Sequence, residues 1–281
     1  METWIATAGP VHGAMGAPLA VSSALPPAGA RARPAPVRYT HQHEVIAMQP
    51  IVGIVGGLGP EGTVHYYRKL TARLAALPLD AGRPGIAVDH VWIDRFSALL
   101  RAGADADALE LLLGSLRRLE RAGATLALFA AVTPHRFLPA LRPRSPLPIA
   151  DLVGATCEDV RAAGHRVVGL VGTRFTVSEP FFRDALEAAG VRVVVPDEAG
   201  TDDLDALIFG PLARGEKTPA MQGELAAIVS RMARREPLDA LVVACTDLMD
   251  LMGTEVPLLD PIDSHLRLAL RMLPASGARA Q

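Results

Sequence analysis

The stretch Val52-Gly-Ile-Val-Gly56 runs into the glycine-rich turn Gly57-Leu-Gly-Pro60, and a similar stretch, Val168-Gly-Leu-Val-Gly172, recurs later in the chain. Short apolar runs that end in glycine are typical of buried parallel strands that turn into helices. A second repeat relates the run ending in Ala131-Val132-Thr133 to the run ending in Ala244-Cys245-Thr246. These repeats predict two copies of one α/β unit, although two chance matches among common residues would give the same letters.

From Ile51 onward, short runs of Val, Ile and Leu alternate with longer amphipathic segments, which is the pattern of parallel strands joined by crossover helices. The predicted strands lie near residues 51–55, 87–93, 125–131, 166–171, 191–195, 239–245 and 257–259. The predicted helices lie near residues 61–76, 105–122, 134–141, 151–163, 177–188, 217–235 and 261–273. The fold class is therefore α/β, with two pseudo-symmetric Rossmann-like lobes, parallel sheets and an active site in the cleft between them.

Composition excludes several classes of partner. The 281 residues include 28 basic and 30 acidic ones, and the net charge of -2 is unlike that of proteins that bind nucleic acid or anionic membranes. No apolar run approaches the roughly 18 residues that a membrane span needs. Two cysteines, without metal-ligand spacing, fit a reducing cytoplasm and predict no metal site. Residues 1–48 are rich in Ala, Pro and Gly and are predicted to be disordered, without a signal peptide.

Cys245 is the clearest candidate for an acid or base. It ends an apolar run and precedes Thr246 and Asp247, where the chain has to turn into a helix. Unpaired amides at such a turn favour a thiolate, which would make Cys245 a usable base. The alternative is a small buried hydrophobic side chain, the usual state of a free cysteine. Cys157 lies inside a predicted helix, and that structural alternative is preferred for it.

The segment Gly57-Leu-Gly59-Pro-Glu-Gly62 matches the GxGxxG pattern of dinucleotide-binding turns. That pattern requires an acidic residue about 20 residues further on, at the end of the second strand, and the nearest candidate, Asp94, lies too far along. A turn whose amides, around Gly57 and Leu58, hold a substrate carboxylate is the preferred interpretation. No cofactor is therefore expected.

Two histidines and a row of hydroxyls complete the candidates. His135 and His265 both lie near predicted strand-to-helix turns, where each could move a proton or merely hydrogen-bond the backbone. Thr173 and Thr176 follow the second glycine turn and could either bind a substrate or cap the next helix.

Taken together, the segments from Ile51 to Leu273 resemble the aspartate/glutamate racemase family. The matching segments are Gly56-Gly-Leu-Gly-Pro60, Tyr66-Tyr-Arg68, Gly172-Thr-Arg-Phe-Thr176, Ala244-Cys-Thr-Asp247 and Asp260 through His265. The resemblance implies a homodimer of two-lobed subunits, with residues 49–148 plus 257–281 in the first lobe and 149–256 in the second. It also implies cofactor-independent racemisation of a small amino or carboxylic acid by two opposed cysteines, one on each face of the α-carbon.

This sequence departs from the family pattern at the first cysteine. The family segment CNT-x-H is here Ala131-Val132-Thr133-Pro134-His135, so the first thiol and the substrate-binding Asn are both replaced. The resemblance makes Cys245 the acid or base and leaves Thr133, His135 or a bound water as the second acid. It implies that Gly57, Leu58, Ala131, Val132, Thr133, Thr173, Thr176, Thr246 and Asp247 bind the substrate.

Three functions remain open at this stage. A racemase or epimerase would pair Cys245 with a weaker acid. A decarboxylase resembling the arylmalonate decarboxylases needs only one proton donor, and Ala131-Val132 would form an apolar wall for its substrate. A catalytically silent homologue would bind a small acid without converting it.

Overall fold

The computed structural model describes residues 49–77 and 82–273. The predicted disorder of residues 1–48 falls outside the described residues. None of the helices within the described ranges is both long enough and apolar enough to cross a bilayer.

The strands form two parallel sheets whose orders repeat each other. The strands are β1 (Ile51–Gly56), β2 (Gly85–His90), β3 (Leu126–Phe129), β4 (Val167–Val171), β5 (Arg192–Val194), β6 (Ala240–Val243) and β7 (Leu258–Leu259). The first sheet has the order β2-β1-β3, and the second has the order β5-β4-β6-β7. Val52 pairs with Leu126 in the first sheet, as Val168 pairs with Ala240 in the second. The predicted α/β class and the repeat of one unit are therefore confirmed.

Ten α-helices connect or follow these strands in the described residues. They are α1 (Pro60–Ala75), α2 (Ile93–Arg101), α3 (Asp105–Arg121), α4 (Leu138–Leu141), α5 (Leu152–Ala162), α6 (Arg174–Ser178), α7 (Pro180–Ala188), α8 (Glu198–Phe209), α9 (Pro219–Arg235) and α10 (Pro261–Met272). Short 3-10 helices cover Thr133–Phe137, Leu212–Arg214 and Met249–Leu251. Sequence analysis missed α2 and α8. It also predicted a single helix near 177–188, where the structure has two helices that are separated at Glu179, with Pro180 beginning α7.

A single apolar cluster packs between the two sheets. Side chains alternate along a strand, so Val52 and Ile54 of β1 point to one face while Val55 points to the other. Val168 and Leu170 of β4 join Val52 and Ile54 in the same cluster. The outer face of the first sheet packs against α2 and α3, and that of the second packs against α8 and α9. The two sheets therefore share one core.

The C-terminal segment touches both sheets. Its strand β7 pairs with β6 in the second sheet, with Leu241 opposite Leu258. This pairing differs from the expected placement of residues 257–281 in the first lobe. The following helix α10 packs against α5, and Lys69 and Arg73 of α1 form ion pairs with Asp263 near the start of α10. The strand predicted near residues 257–259 is present, but the short apolar run did not reveal which sheet it extends.

Gly62 allows α1 to approach the ends of both sheets. A Cβ at this position would overlap the Thr246 hydroxyl and would lie 3.2 Å from the Ala130 carbonyl oxygen. Ala130 follows β3 in the first sheet, and Thr246 follows β6 in the second. The lack of a side chain at Gly62 therefore sets the spacing between the two halves.

We predict that Gly62→Ala destabilises the protein, because the new methyl group has to displace Thr246. Overpacking of a close contact costs about 1–3 kcal/mol, which outweighs the gain of up to about 1 kcal/mol from the better helix former. The free energy of unfolding, measured by urea denaturation, checks this expectation.

Gly223→Ala is the matched control. Gly223 lies in the interior of α9 and has no atom within 4 Å of the position of a Cβ, so the same substitution there should stabilise the protein by up to about 1 kcal/mol. Equal effects of the two substitutions would contradict the proposed contact. Thr246→Ala in the Gly62→Ala background should restore part of the lost stability.

Candidate active site

A cavity of about 170 Å³ lies where the strand-end turns of both sheets meet. Its volume is well above the roughly 10–15 Å³ that one water molecule occupies. The turns after β1, β3, β4 and β6 all contribute to its wall, through residues 58–60, 131–134, 173 with 175–176, and 244–247. The convergence of four turns expected from the repeat is therefore observed in the structure.

Most of the residues expected to bind substrate line this cavity. They are Leu58, Ala131, Val132, Thr133, Thr173, Thr176, Thr246 and Asp247. Cys245, the predicted acid or base, also lines it. Gly57 and His135 do not line it.

Gly57 serves the turn itself rather than the cavity. Its φ of 81° lies in the left-handed region, and a Cβ there would overlap the carbonyl oxygen of Val91. Its amide donates a hydrogen bond to Thr63 Oγ1 at 2.9 Å. The Gly57 amide is therefore bonded within the turn, and substrate binding by Gly57 stays a prediction that this contact does not support.

The other glycines of the GxGxxG segment also make internal contacts. Gly62 packs against Thr246, and the Asp247 carboxylate lies 3.7 Å from the position of a Cβ on Gly59. A phosphate placed at this turn would lie next to the Asp247 carboxylate and would be repelled by it when that group is ionised. These contacts argue against dinucleotide binding at this turn.

Cys245 forms part of the cavity wall and is 9% exposed. Burial and the negative charge of Asp247 raise the pKa of its thiol to about 12. Hydrogen bonds from the backbone of Asp247 and Leu248 act in the opposite direction but are outweighed. The expected thiolate is therefore wrong for the unliganded site, because desolvation exceeds the effect of the turn amides. The thiol is protonated at neutral pH.

Cys157 lies in α5, away from the cavity. Burial raises the pKa of its thiol to about 11. Its side chain belongs to the apolar cluster between the sheets. These surroundings agree with the structural role expected for Cys157.

His135 is buried behind the turn that carries Ala131 and Val132. Its Nδ1 lies 3.1 Å from the carbonyl oxygens of both residues, so Nδ1 carries the proton and donates. Its Nε2 is buried without a hydrogen-bond partner among the described residues. Burial lowers the pKa of His135, which keeps the ring neutral. This geometry suits a histidine that holds the turn in place better than a second acid.

His265 is held in a similar way at a ring-centroid distance of 5.3 Å from His135. Its Nε2 donates to the Ala150 carbonyl oxygen at 3.2 Å, and its Nδ1 accepts from the Tyr66 hydroxyl at 2.9 Å. Burial lowers the pKa of His265 well below its ordinary value. Tyr66, His135 and His265 therefore form a neutral buried cluster that links α1, the turn after β3 and α10.

Thr133, Thr173 and Thr176 contribute hydroxyls to the cavity wall, in addition to Thr246 and Ser97. Thr133 is half-buried at the start of a 3-10 helix, and Thr176 is buried. The Oγ1 atoms of Thr173 and Thr176 are 3.3 Å apart. Thr173 makes no side-chain capping bond to α6. The hydroxyls of these threonines can therefore contact a ligand.

The opposite side of the cavity is formed by residues that sequence analysis missed. Ile93, Phe96, Ser97 and Leu100 come from α2, and Ile208 and Phe209 come from α8. The α2 residues are spaced i, i+3, i+4 and i+7, the signature of one helix face. That signal was hidden because the predicted strand near 87–93 ran into the start of the helix.

No group of three His, Cys, Asp or Glu side chains that could hold a metal occurs in residues 49–77 and 82–273.

This site and fold define a class of protein: a two-lobed α/β enzyme with a cavity where the strand-end turns of both lobes meet. The sequence profile of the Asp/Glu/Hydantoin racemase family matches residues 55–269. The chain therefore belongs to the Asp/Glu/Hydantoin racemase family, which indicates an isomerase that acts as a racemase or epimerase.

Solved structures with the same fold agree with this assignment. An aspartate racemase homologue from Pyrococcus horikoshii OT3 is 26% identical, with a TM-score of 0.67 over 80% of this chain and 99% of that one. A candidate Asp/Glu racemase from Yersinia pestis is 23% identical, with a TM-score of 0.70 over 79% and 98%. The aspartate racemase of Picrophilus torridus is 20% identical, with a TM-score of 0.65 over 79% and 93%.

The high pKa of Cys245 predicts an unusual alkylation profile for the free enzyme. In a Cys157→Ala background, the rate of Cys245 alkylation by iodoacetamide should rise about tenfold per pH unit through about pH 10, because the reactive thiolate fraction grows that way below the pKa. Mass spectrometry of the labelled peptide measures the rate, with circular dichroism as a check that the fold persists. A plateau by about pH 8 would show a thiolate and contradict this description.

Proposed function

We propose that Cys245 exchanges a proton at the α-carbon of a small amino or carboxylic acid bound in this cavity. The observation that carries the proposal is the meeting of four strand-end turns around one cavity with the thiol in its wall. An acid group of this kind contributes roughly 10²–10⁴-fold to proton transfer.

The groups around Cys245 support binding of a carboxylate. The hydroxyls of Thr173 and Thr176 can donate to a carboxylate. The negative charge that develops on the carboxylate when the α-proton leaves would be stabilised by these groups.

The second face of the α-carbon lacks a thiol. Ala131 lines the same cavity as Cys245, and a methyl group moves no proton. Of the two candidates for a second acid, Thr133 lies on the cavity and His135 lies behind it. We therefore propose that Cys245 loses its proton to solvent and, as a thiolate, takes the α-proton. The Thr133 hydroxyl, or a water that it binds, then donates a proton to the opposite face and regains one from solvent.

A decarboxylase is the second candidate function. Loss of carbon dioxide leaves a carbanion that requires one proton, and a thiol that is protonated at neutral pH can supply it. The protonated state of Cys245 and the methyl group of Ala131 both fit this one-sided delivery. A decarboxylase would install a single deuterium of one handedness in deuterated water, whereas a racemase would scramble the configuration.

Cytoplasmic location and a homodimer are further proposals that follow from the family. Multi-angle light scattering of the purified chain distinguishes a dimer from a monomer.

Removal of the thiol is the direct test of the proposed role. Cys245→Ala should reduce α-deuterium incorporation in deuterated water by roughly 10²-fold or more, because it removes the proton carrier. Cys157→Ala is the matched control and should stay close to the wild-type rate, since Cys157 is buried away from the cavity. Nuclear magnetic resonance of the recovered acid measures incorporation. Equal losses in the two variants would overturn the assignment.

Restoring the missing thiol should change the stereochemical course. Ala131→Cys, combined with Val132→Asn where needed, should raise the rate of racemisation relative to one-sided exchange, because both faces then meet an acid. Chiral chromatography of the product measures the ratio. Ala131→Ser is the control, since its hydroxyl is similar in size to a thiol but is a weaker acid, so it should raise the ratio less than Ala131→Cys. An unchanged ratio in Ala131→Cys would contradict the opposed placement of Ala131 and Cys245.

A further inference from the structure

We propose that the substrate of this site carries a single carboxylate and an apolar substituent, instead of the second carboxylate of aspartate or glutamate. The inference rests on the proposed function of Cys245 and deepens it by naming the substrate class. It is carried by the residues that face the strand-end turns across the cavity.

One side of the cavity is a largely apolar helix face, on which Ser97 is the polar residue. Ile93, Phe96 and Leu100 project from α2 into the cavity wall at intervals of three and four residues. Phe96 and Leu100 are buried, and both also belong to the core on the outer face of the first sheet. Their packing on that core fixes this side of the cavity as apolar.

The second lobe adds more apolar surface. Ile208 and Phe209 end helix α8, Ala213 follows in a 3-10 helix, and Phe175 lies in α6 after β4. Ile208 is buried, whereas Phe209 is 42% exposed and therefore lies towards solvent. A substituent placed between α2 and α8 would touch aliphatic and aromatic carbon on both sides.

The charges around the cavity oppose a second carboxylate. Within the described part of the chain, no Lys, Arg or His contributes to the cavity wall. The ionisable groups on the wall are Cys245 and Asp247, and Asp247 is acidic. A distal carboxylate would lose its water without gaining a cation, and it would be repelled by Asp247 when that group is ionised.

Nearby cations are already paired elsewhere. Arg174 follows Thr173 but forms ion pairs with Glu198 and Asp202 on the exposed side of α8. Lys217 pairs with Asp250 at 2.8 Å. A substrate α-ammonium would be compatible with Asp247, so apolar amino acids and apolar acids without an amino group both fall within the proposed class.

Burial of the substituent should dominate affinity. One methylene group in an apolar pocket changes the specificity of a site by about 10-fold or more. We therefore expect leucine, phenylalanine and 2-phenylpropionate, each as both enantiomers, to bind at least tenfold more tightly than aspartate or glutamate. Alanine, which has the carboxylate but little apolar surface, should bind more weakly than leucine.

The first experiment measures binding to the full-length chain by the concentration dependence of its melting temperature. Tighter binding of the apolar acids supports the proposal. Tighter binding of aspartate or glutamate overturns it, and so does the absence of binding by every apolar acid in the panel.

The second experiment tests whether an added cation shifts the binding preference from leucine towards glutamate. Phe209→Lys places a cation at the exposed edge of the cavity, so it should improve the binding of glutamate several-fold relative to leucine. Phe209→Met is the matched control, because it has a similar flexible length without a charge and should keep the wild-type order. The same shift in both variants, or no shift in Phe209→Lys, would contradict the role of missing positive charge.

Deuterium exchange separates this inference from the function on which it rests. Exchange of aspartate or glutamate that depends on Cys245 and exceeds exchange of the apolar acids overturns the substrate class and leaves the role of Cys245 standing. Tight binding of apolar acids without any exchange supports the binding preference and overturns the proposed chemistry.

Discussion

The close approach of α1 to the ends of both sheets is the constraint on which the site depends. Gly62 has no side chain, so the helix can touch the Ala130 carbonyl of one sheet and Thr246 of the other. The start of the same helix, at Gly59 and Pro60, then reaches the cavity. A sequence pattern usually associated with phosphate binding here allows the close packing at the cavity, where four strand-end turns meet.

The cavity is chemically asymmetric although the fold repeats itself. A thiol lies at the end of the second copy of the repeat, and Ala131 occupies the corresponding place in the first. The buried cluster of Tyr66, His135 and His265 is neutral and supports the first turn from behind. The first half of the molecule therefore contributes a turn to the cavity without a thiol, and Cys245 is the cysteine in the cavity wall.

Sequence reasoning was most accurate where local patterns determine structure. The central strands and glycine turns were predicted because apolar runs ending in glycine have few other solutions. It missed α2 and α8, whose apolar faces shape the cavity, since the strand pattern before α2 masked its helical spacing. It also predicted a thiolate at Cys245, whereas burial raises the pKa of this thiol. That burial could not be predicted, because it depends on packing between distant segments. The residues of the strand-end turns could therefore be predicted from the sequence, whereas the apolar cavity walls formed by α2 and α8 could not.

The apolar cluster between the sheets also determines how the molecule holds together. Val52 and Ile54 of one half and Val168 and Leu170 of the other are all fully shielded from solvent by the same group of side chains. Separation of the two halves would expose these apolar side chains to water, at a cost in free energy of about 25 cal/mol per Å² of apolar surface. The two repeats should consequently melt as one cooperative body, and a ligand should enter through small movements at the rim instead of a wide hinge opening.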